Sequence, residues 1–222
     1  MGGAWWFESA WSADPMLAMS WVAWVIVSIT LHELAHGWAA IRRGDTTPID
    51  TGHMSWNPVV HMGLFSLIVF ALVGIAWGAM PINPSRIRGR HGDAAVAFAG
   101  PLMNLYLAAG CILGRALWEG YAHGLADPFH ANISTALFVG AFLNLVLFAF
   151  NLLPIMPLDG GRILASYHPP YARLMETQGG VFLMLGLFML VFFFGFQYIF
   201  GAAMTMAAVA VDLVLSVLPG TP

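Results

Sequence analysis

Apolar residues run along this chain in long blocks, at about 16–41, 62–80, 94–113, 132–153 and 178–218, separated by short polar stretches. About 20 consecutive apolar residues suffice for a helix to cross a bilayer, so 16–41, 94–113 and 132–153 each predict one span. The block 62–80 is interrupted by Gly63, Gly74 and Gly78 and leads into Met80-Pro81-Ile82-Asn83-Pro84. At about 1.5 Å per residue, the block 178–218 would reach roughly 60 Å as one helix, against a hydrocarbon core near 30 Å. Gly195, Gln197 and Gly201 offer a break there, and the pattern predicts two spans. Residues 44–60 are polar and carry Pro48, Gly52 and Pro58, so Thr46 to Trp56 predicts a small β-hairpin turning near Gly52. The expected fold is an all-α polytopic membrane protein, a bundle of about five to six transmembrane helices. It forms one membrane-embedded domain over 1–222, with its core at 16–165 and C-terminal helices at 178–218.

Composition agrees: 59% of residues are hydrophobic and 9% charged, where soluble domains carry about 25% charged residues. Cys111 stands alone, which excludes an internal disulfide and a cysteine-based zinc site. The 16 Phe and nine Trp suit lipid-facing and interfacial positions rather than a stacking platform for nucleic acid. The bilayer is the expected surroundings, and no nucleic-acid partner is expected.

Within the first block lies Leu31-His32-Glu33-Leu34-Ala35-His36-Gly37, an HExxH motif. Residues i and i+4 of a helix share a face, so His32 and His36 can aim two imidazole nitrogens at one metal ion. Glu33 lies beside the pair, within reach of a metal-bound water. Zinc peptidases use this spacing, with two histidine ligands and a glutamate base. The bland alternative is two buried histidines with a chance glutamate between them. It fits poorly, because ionisable residues within a membrane helix are costly and functional by default.

A catalytic zinc ion usually has three protein ligands and one open position. Of the acidic residues, Asp159 is the best third ligand: it follows a span, and Pro154, Pro157, Gly160 and Gly161 break the helix around it. Broken backbone at membrane depth is tolerated where it is buried in protein or lines a cavity. Taken alone, Asp159 reads equally well as a solvated residue at a helix end capped by Gly160. Beside the HExxH, the ligand reading is favoured. His53 and His61 are weaker candidates for a fourth ligand, since a histidine in a turn is more often an interfacial hydrogen-bonding residue.

HELAHG in the first span, together with Asn151-Leu152-Leu153-Pro154-Ile155-Met156-Pro157-Leu158-Asp159-Gly160, resembles the site-2 protease family of intramembrane metalloproteases. Asn57-Pro58 with His61, Asn83-Pro84, and Gly100-Pro101 with Asn104 extend the likeness, which covers about residues 30–165. The resemblance implies a single zinc ion held by His32, His36 and Asp159, with Glu33 as catalytic glutamate. Asn104 and Asn151 match positions associated with substrate handling or support of the site. The implied substrate is the transmembrane segment of another protein. Larger members carry a PDZ domain between the core spans or a CBS domain after them, and neither is expected here.

The arginines constrain the threading. His36 lies about 9 Å along its helix from Arg42, and Asp159 is close to Arg162, so both motifs belong at one membrane face. The first and third spans then run in the same direction, and 62–80 must dip into the membrane and return. With that path Arg42, Arg43, Arg86, Arg88, Arg90, Arg162 and Arg173 are all cytoplasmic and only Arg115 is outside, as the positive-inside rule favours. The active site is therefore expected toward the cytoplasmic side. Competing readings are a membrane peptidase taking a later Glu as ligand, for which no intramembrane Glu is offered, and a zinc-binding or transport protein. Transporters tend to show internal repeats, and none stands out here.

Overall fold

The computed structural model describes residues 5–122 and 124–219. A short helix α1 (Trp6–Ala13) precedes the long α2 (Pro15–Arg42). Asp14 caps α2 by accepting the N–H groups of Met16 and Leu17, and Pro15 occupies the first helical position, where no N–H is needed. Helix α2 ends at Arg42, followed by Gly44 at φ 97°.

Among the described residues, four helical runs are long and apolar enough to cross a membrane: Pro15–Arg42, α5 (Gly92–Tyr121), α6 (Phe129–Asn151) and the run Gln178–Val217. Helices α5 and α6 are antiparallel, as the pairs Trp118–His130 and Asn104–Asn144 fix. Both pack against α2 and against α10 (Phe196–Val217). Their core joins Cys111 of α5, Val139, Ala141, Phe142 and Val146 of α6, and Ala203 and Ala207 of α10. Small residues let the backbones approach, which is how helices associate in lipid. Gly140 lies directly under the Trp24 ring, and the Trp24 indole N–H donates to the Ala136 carbonyl at 2.7 Å.

Two expectations need correcting. No β-strand occurs among the described residues, and the predicted hairpin is a short helix, α3 (Thr47–Asp50), followed by turns. Pro48 within its first turn has no N–H to give a strand ladder, and the Asp45 carboxylate accepts the N–H and hydroxyl of Thr47 to start the turn. The C-terminal block is one continuous helical run of 40 residues rather than two spans. In it, α9 (Gln178–Leu190) passes through a π-helical segment, Val191–Gly195, into α10. This leaves four span-length helices among the described residues, where five to six were expected.

The block 62–80 doubles back on itself. Helix α4 (Pro58–Val73) is kinked at Gly63 (φ 68°) and stops at Gly74 in the left-handed conformation. The chain then returns without helix or strand: Ser66 Oγ donates to the Trp77 carbonyl and accepts the Trp77 N–H, and the Ala79 N–H donates to the His61 carbonyl. The indole N–H groups of Trp5 and Trp6 both donate to the Ala71 carbonyl, closing the far end of α4. After α6 the chain turns through Met156-Pro157 into α7 (Asp159–Tyr167) and α8 (Pro169–Met175).

Candidate metal centre

Three elements meet at one end of the bundle: the last turns of α2, the first turns of α5 and the start of α7. The Nε2 atoms of His32 and His36 lie 3.0 Å apart, and Asp159 Oδ2 is 3.1 Å from the first and 3.3 Å from the second. All three residues are buried. The helical i, i+4 spacing aligns the imidazoles. Asp159 enters at the N-terminus of α7, where Gly160 and Gly161 pack directly on the backbone of 152–156. Arg162, one turn on, donates to Asp93 at 2.7 Å and ties α7 to α5.

The far nitrogens of the rings are committed elsewhere. His32 Nδ1–H donates to Asn104 Oδ1 at 2.6 Å, and His36 Nδ1–H donates to the Val96 carbonyl at 2.7 Å. Each ring therefore turns an unprotonated Nε2 inward, toward the other and toward a carboxylate oxygen. Three lone pairs converging in a buried space repel unless a cation lies among them. Zinc–ligand bonds of about 2.0–2.1 Å in a tetrahedron separate neighbouring ligand atoms by roughly 3.3 Å, close to the spacings here. The donor set and its spacing fit zinc.

Gly100 of α5 completes the enclosure. A Cβ there would lie 2.5 Å from His32 Nε2 and would also overlap His36 Nε2. Glu33 is 6% exposed and lines a cavity of about 220 Å³ with His32, His36, Asp159, Asn151 and residues of the returning segment, Gly78, Ala79, Met80 and Ile82. Gly78 lies directly against the Glu33 side chain.

Of the residues singled out in the sequence, His32, Glu33, His36, Asp159 and Asn151 share this cavity, and Asn104 stands behind His32. The Asn151 amide donates to the Leu147 carbonyl at 3.0 Å. His53 hydrogen-bonds Thr51 and His61 donates to the Ser55 carbonyl, so neither joins the cluster. Sequence reasoning missed Asn144, fully buried, which accepts from Asn104 Nδ2 at 3.0 Å. Its signal was available: a lone amide inside the apolar run of α6.

The family model "Peptidase family M50" matches residues 121–194, a stretch that includes Asp159. Relatives that bear the name "Putative zinc metalloprotease" include YwhC and Rip2. YwhC of Bacillus subtilis is 38% identical over 69% of this chain and 71% of its own length. Rip2 of Mycolicibacterium smegmatis is 33% identical over 76% of this chain and 66% of its own. No solved structure matches the chain. A relative so similar over most of both lengths, together with a buried two-histidine, one-carboxylate cluster suited to zinc, means that the chain belongs to peptidase family M50, as a membrane zinc metalloprotease.

Proposed function

We propose that the protein cleaves a peptide bond within or near the transmembrane segment of another membrane protein. The observation that carries this reading is the convergence of His32, His36 and Asp159 in the cavity that Glu33 lines, inside a bundle of span-length helices. In this reading the whole chain is one membrane-embedded domain with its protease core at 16–165. His32, His36 and Asp159 hold the zinc. When bound, the ion supplies Lewis acidity, which makes a water nucleophilic near neutral pH and stabilises charge on the substrate carbonyl oxygen.

The chain's own residues do the rest. The Glu33 carboxylate takes the proton of the attacking water and returns it to the leaving amine. Gly78, having no side chain, leaves the Glu33 carboxylate open to the cavity. Asn104 holds the His32 ring, and Asn151 offers a polar wall to the substrate backbone. A substrate helix must unwind to expose a peptide bond. The helix-free return segment, whose Ala79, Met80 and Ile82 line the cavity, provides a backbone against which such a segment can lie. Residues 46–57, the other candidate edge, are helix and turns.

The membrane placement follows the same logic. Helix α4 and its return are a re-entrant element, since α4 is shorter than a span and the chain comes back to its start. The arginine-rich ends then face the cytoplasm, and so does the site. The test is co-expression of Glu33→Gln carrying a photocrosslinker at Met80, with identification of trapped proteins. Clients with a transmembrane segment that the wild type cleaves support the proposal. Cleavage of soluble, unfolded protein with equal efficiency contradicts it.

A further inference from the structure

The end of α2 and the segment before α5 meet in a reciprocal contact. The Arg88 N–H donates to the Arg43 carbonyl at 2.9 Å, and Arg43 Nη1–H donates to the Arg88 carbonyl at 3.4 Å. Each arginine is followed by a glycine at φ 97°, Gly44 and Gly89. Each glycine lies under the other segment's arginine: a Cβ at Gly44 would be 3.0 Å from Arg88 Nε, and one at Gly89 would be 3.3 Å from Arg43 Nη1. The two side chains are thus laid across each other's backbone. With Arg42, Ala39 and Ala95 they line a cavity of about 520 Å³.

No acid among the described residues lines this cavity. Among the described residues, Arg86, Arg115 and Arg162 have carboxylate partners, while Arg42, Arg43 and Arg88 have none. Guanidinium groups gathered without an acid repel one another, and their planar forks match phosphate oxygens. We propose that the Arg43–Arg88 clasp, with Arg42, is a binding site for a phosphate-bearing anion. Arg42 closes a spanning helix, so the phosphate comes from an anionic lipid headgroup or from free phosphate in the adjoining water. Interchangeable basic anchors of a membrane face would need neither the reciprocal packing nor the shared cavity.

The experiment compares wild type, Arg88→Gln and Arg173→Gln, which removes the same charge from an exposed arginine on α8. Phosphatidylglycerol retained per chain is counted by native mass spectrometry of the zinc-loaded protein in detergent, and inorganic phosphate binding is measured by calorimetry. Arg88→Gln should weaken the bound probe roughly tenfold, and Arg173→Gln by less than about twofold. Retention of phosphatidylglycerol that inorganic phosphate does not disturb identifies the lipid source; binding of inorganic phosphate alone identifies the soluble one. Equal losses in the two variants, or no binding of either probe by the wild type, overturn the proposal. Zinc content reports folding. If Arg88→Gln loses its zinc, Arg88→Lys, which keeps the charge but not the fork, is read in its place: weakening supports the site and wild-type binding overturns it.

Discussion

Asn144 on α6 accepts a hydrogen bond from Asn104 on α5 at 3.0 Å, and this pairing fixes which nitrogen of His32 is left bare. The Asn144 amide N–H donates to the Gly140 carbonyl at 2.9 Å, an acceptor that cannot donate in return. Asn144 must then show its oxygen to Asn104, and Asn104 must show its own oxygen to His32 Nδ1–H. The backbone of one helix thereby sets the tautomer of a histidine in the metal-suited cluster on another.

Removing Asn144 should loosen the metal without touching it. Groups behind a ligand typically contribute about 10- to 100-fold in metal affinity, so Asn144→Leu should weaken zinc by that order in competition with a chelator. Val139→Ala, which trims a fully buried apolar side chain on the same helix, should lower the melting temperature and leave zinc affinity unchanged. Equal affinity in Asn144→Leu and wild type would remove the relay.

Gly100 should be intolerant of the smallest addition. A methyl group there overlaps both Nε2 atoms, and neither ring can turn aside without losing its hydrogen bond to Asn104 or Val96. Gly100→Ala should purify as a folded helical protein with zinc well below one ion per chain, measured by elemental analysis. A full zinc complement would show that the enclosure is looser than described.

Much of this was legible beforehand. The helical period put His32 and His36 on one face, and the broken backbone around Asp159 pointed to the third residue of the cluster. The Val96 carbonyl carries no side-chain signal, and Asn144 acts only through a pairing between two helices. The C-terminal block misled because Gly195 and Gln197 read as a break. A helix-interior glycine costs only about 1 kcal/mol, whereas an interrupted backbone in lipid leaves polar groups unsatisfied at several kcal/mol each. Continuing the helix through a π segment is the less costly solution. The hairpin failed because Asp45 and Pro48 favour a helical turn more strongly than Gly52 favours a strand reversal.

Asp45 gives a pH-dependent tie between α2 and the return segment. It is fully buried, accepting from Thr47 N and Oγ1 and from the Asn83 N–H at 2.7 Å. Burial alone would raise its pKa, but these hydrogen bonds and nearby Arg86 hold it below the usual carboxylate value. A depressed folded pKa means stabilisation that is present above about pH 4 and is lost as pH falls through the lower folded value. Asp45→Asn turns one acceptor into a donor facing a donor, at a cost of about 1–3 kcal/mol. Melting in detergent should show the wild type more stable from pH 7 to about pH 5, with the gap closing below about pH 4. A gap independent of pH would deny ionised Asp45 this role.

The re-entrant path predicts where the loop before α5 lies. A tag between Asn83 and Gly92 should be labelled from the cytoplasmic side of inverted vesicles and be protected in intact cells. Labelling from outside intact cells would require 58–80 to span.

The measurement that bears most directly on the zinc protease reading pairs metal content with cleavage in Glu33→Gln. The substitution keeps the size of the side chain and leaves His32, His36 and Asp159 in place, but an amide cannot accept a proton from water. Reconstituted in lipid with a trapped client, this variant should hold one zinc per chain and cleave at least about a thousandfold more slowly than wild type. Cleavage near the wild-type rate with zinc bound would contradict the assignment of Glu33 as the base, and with it the proposed chemistry of this site.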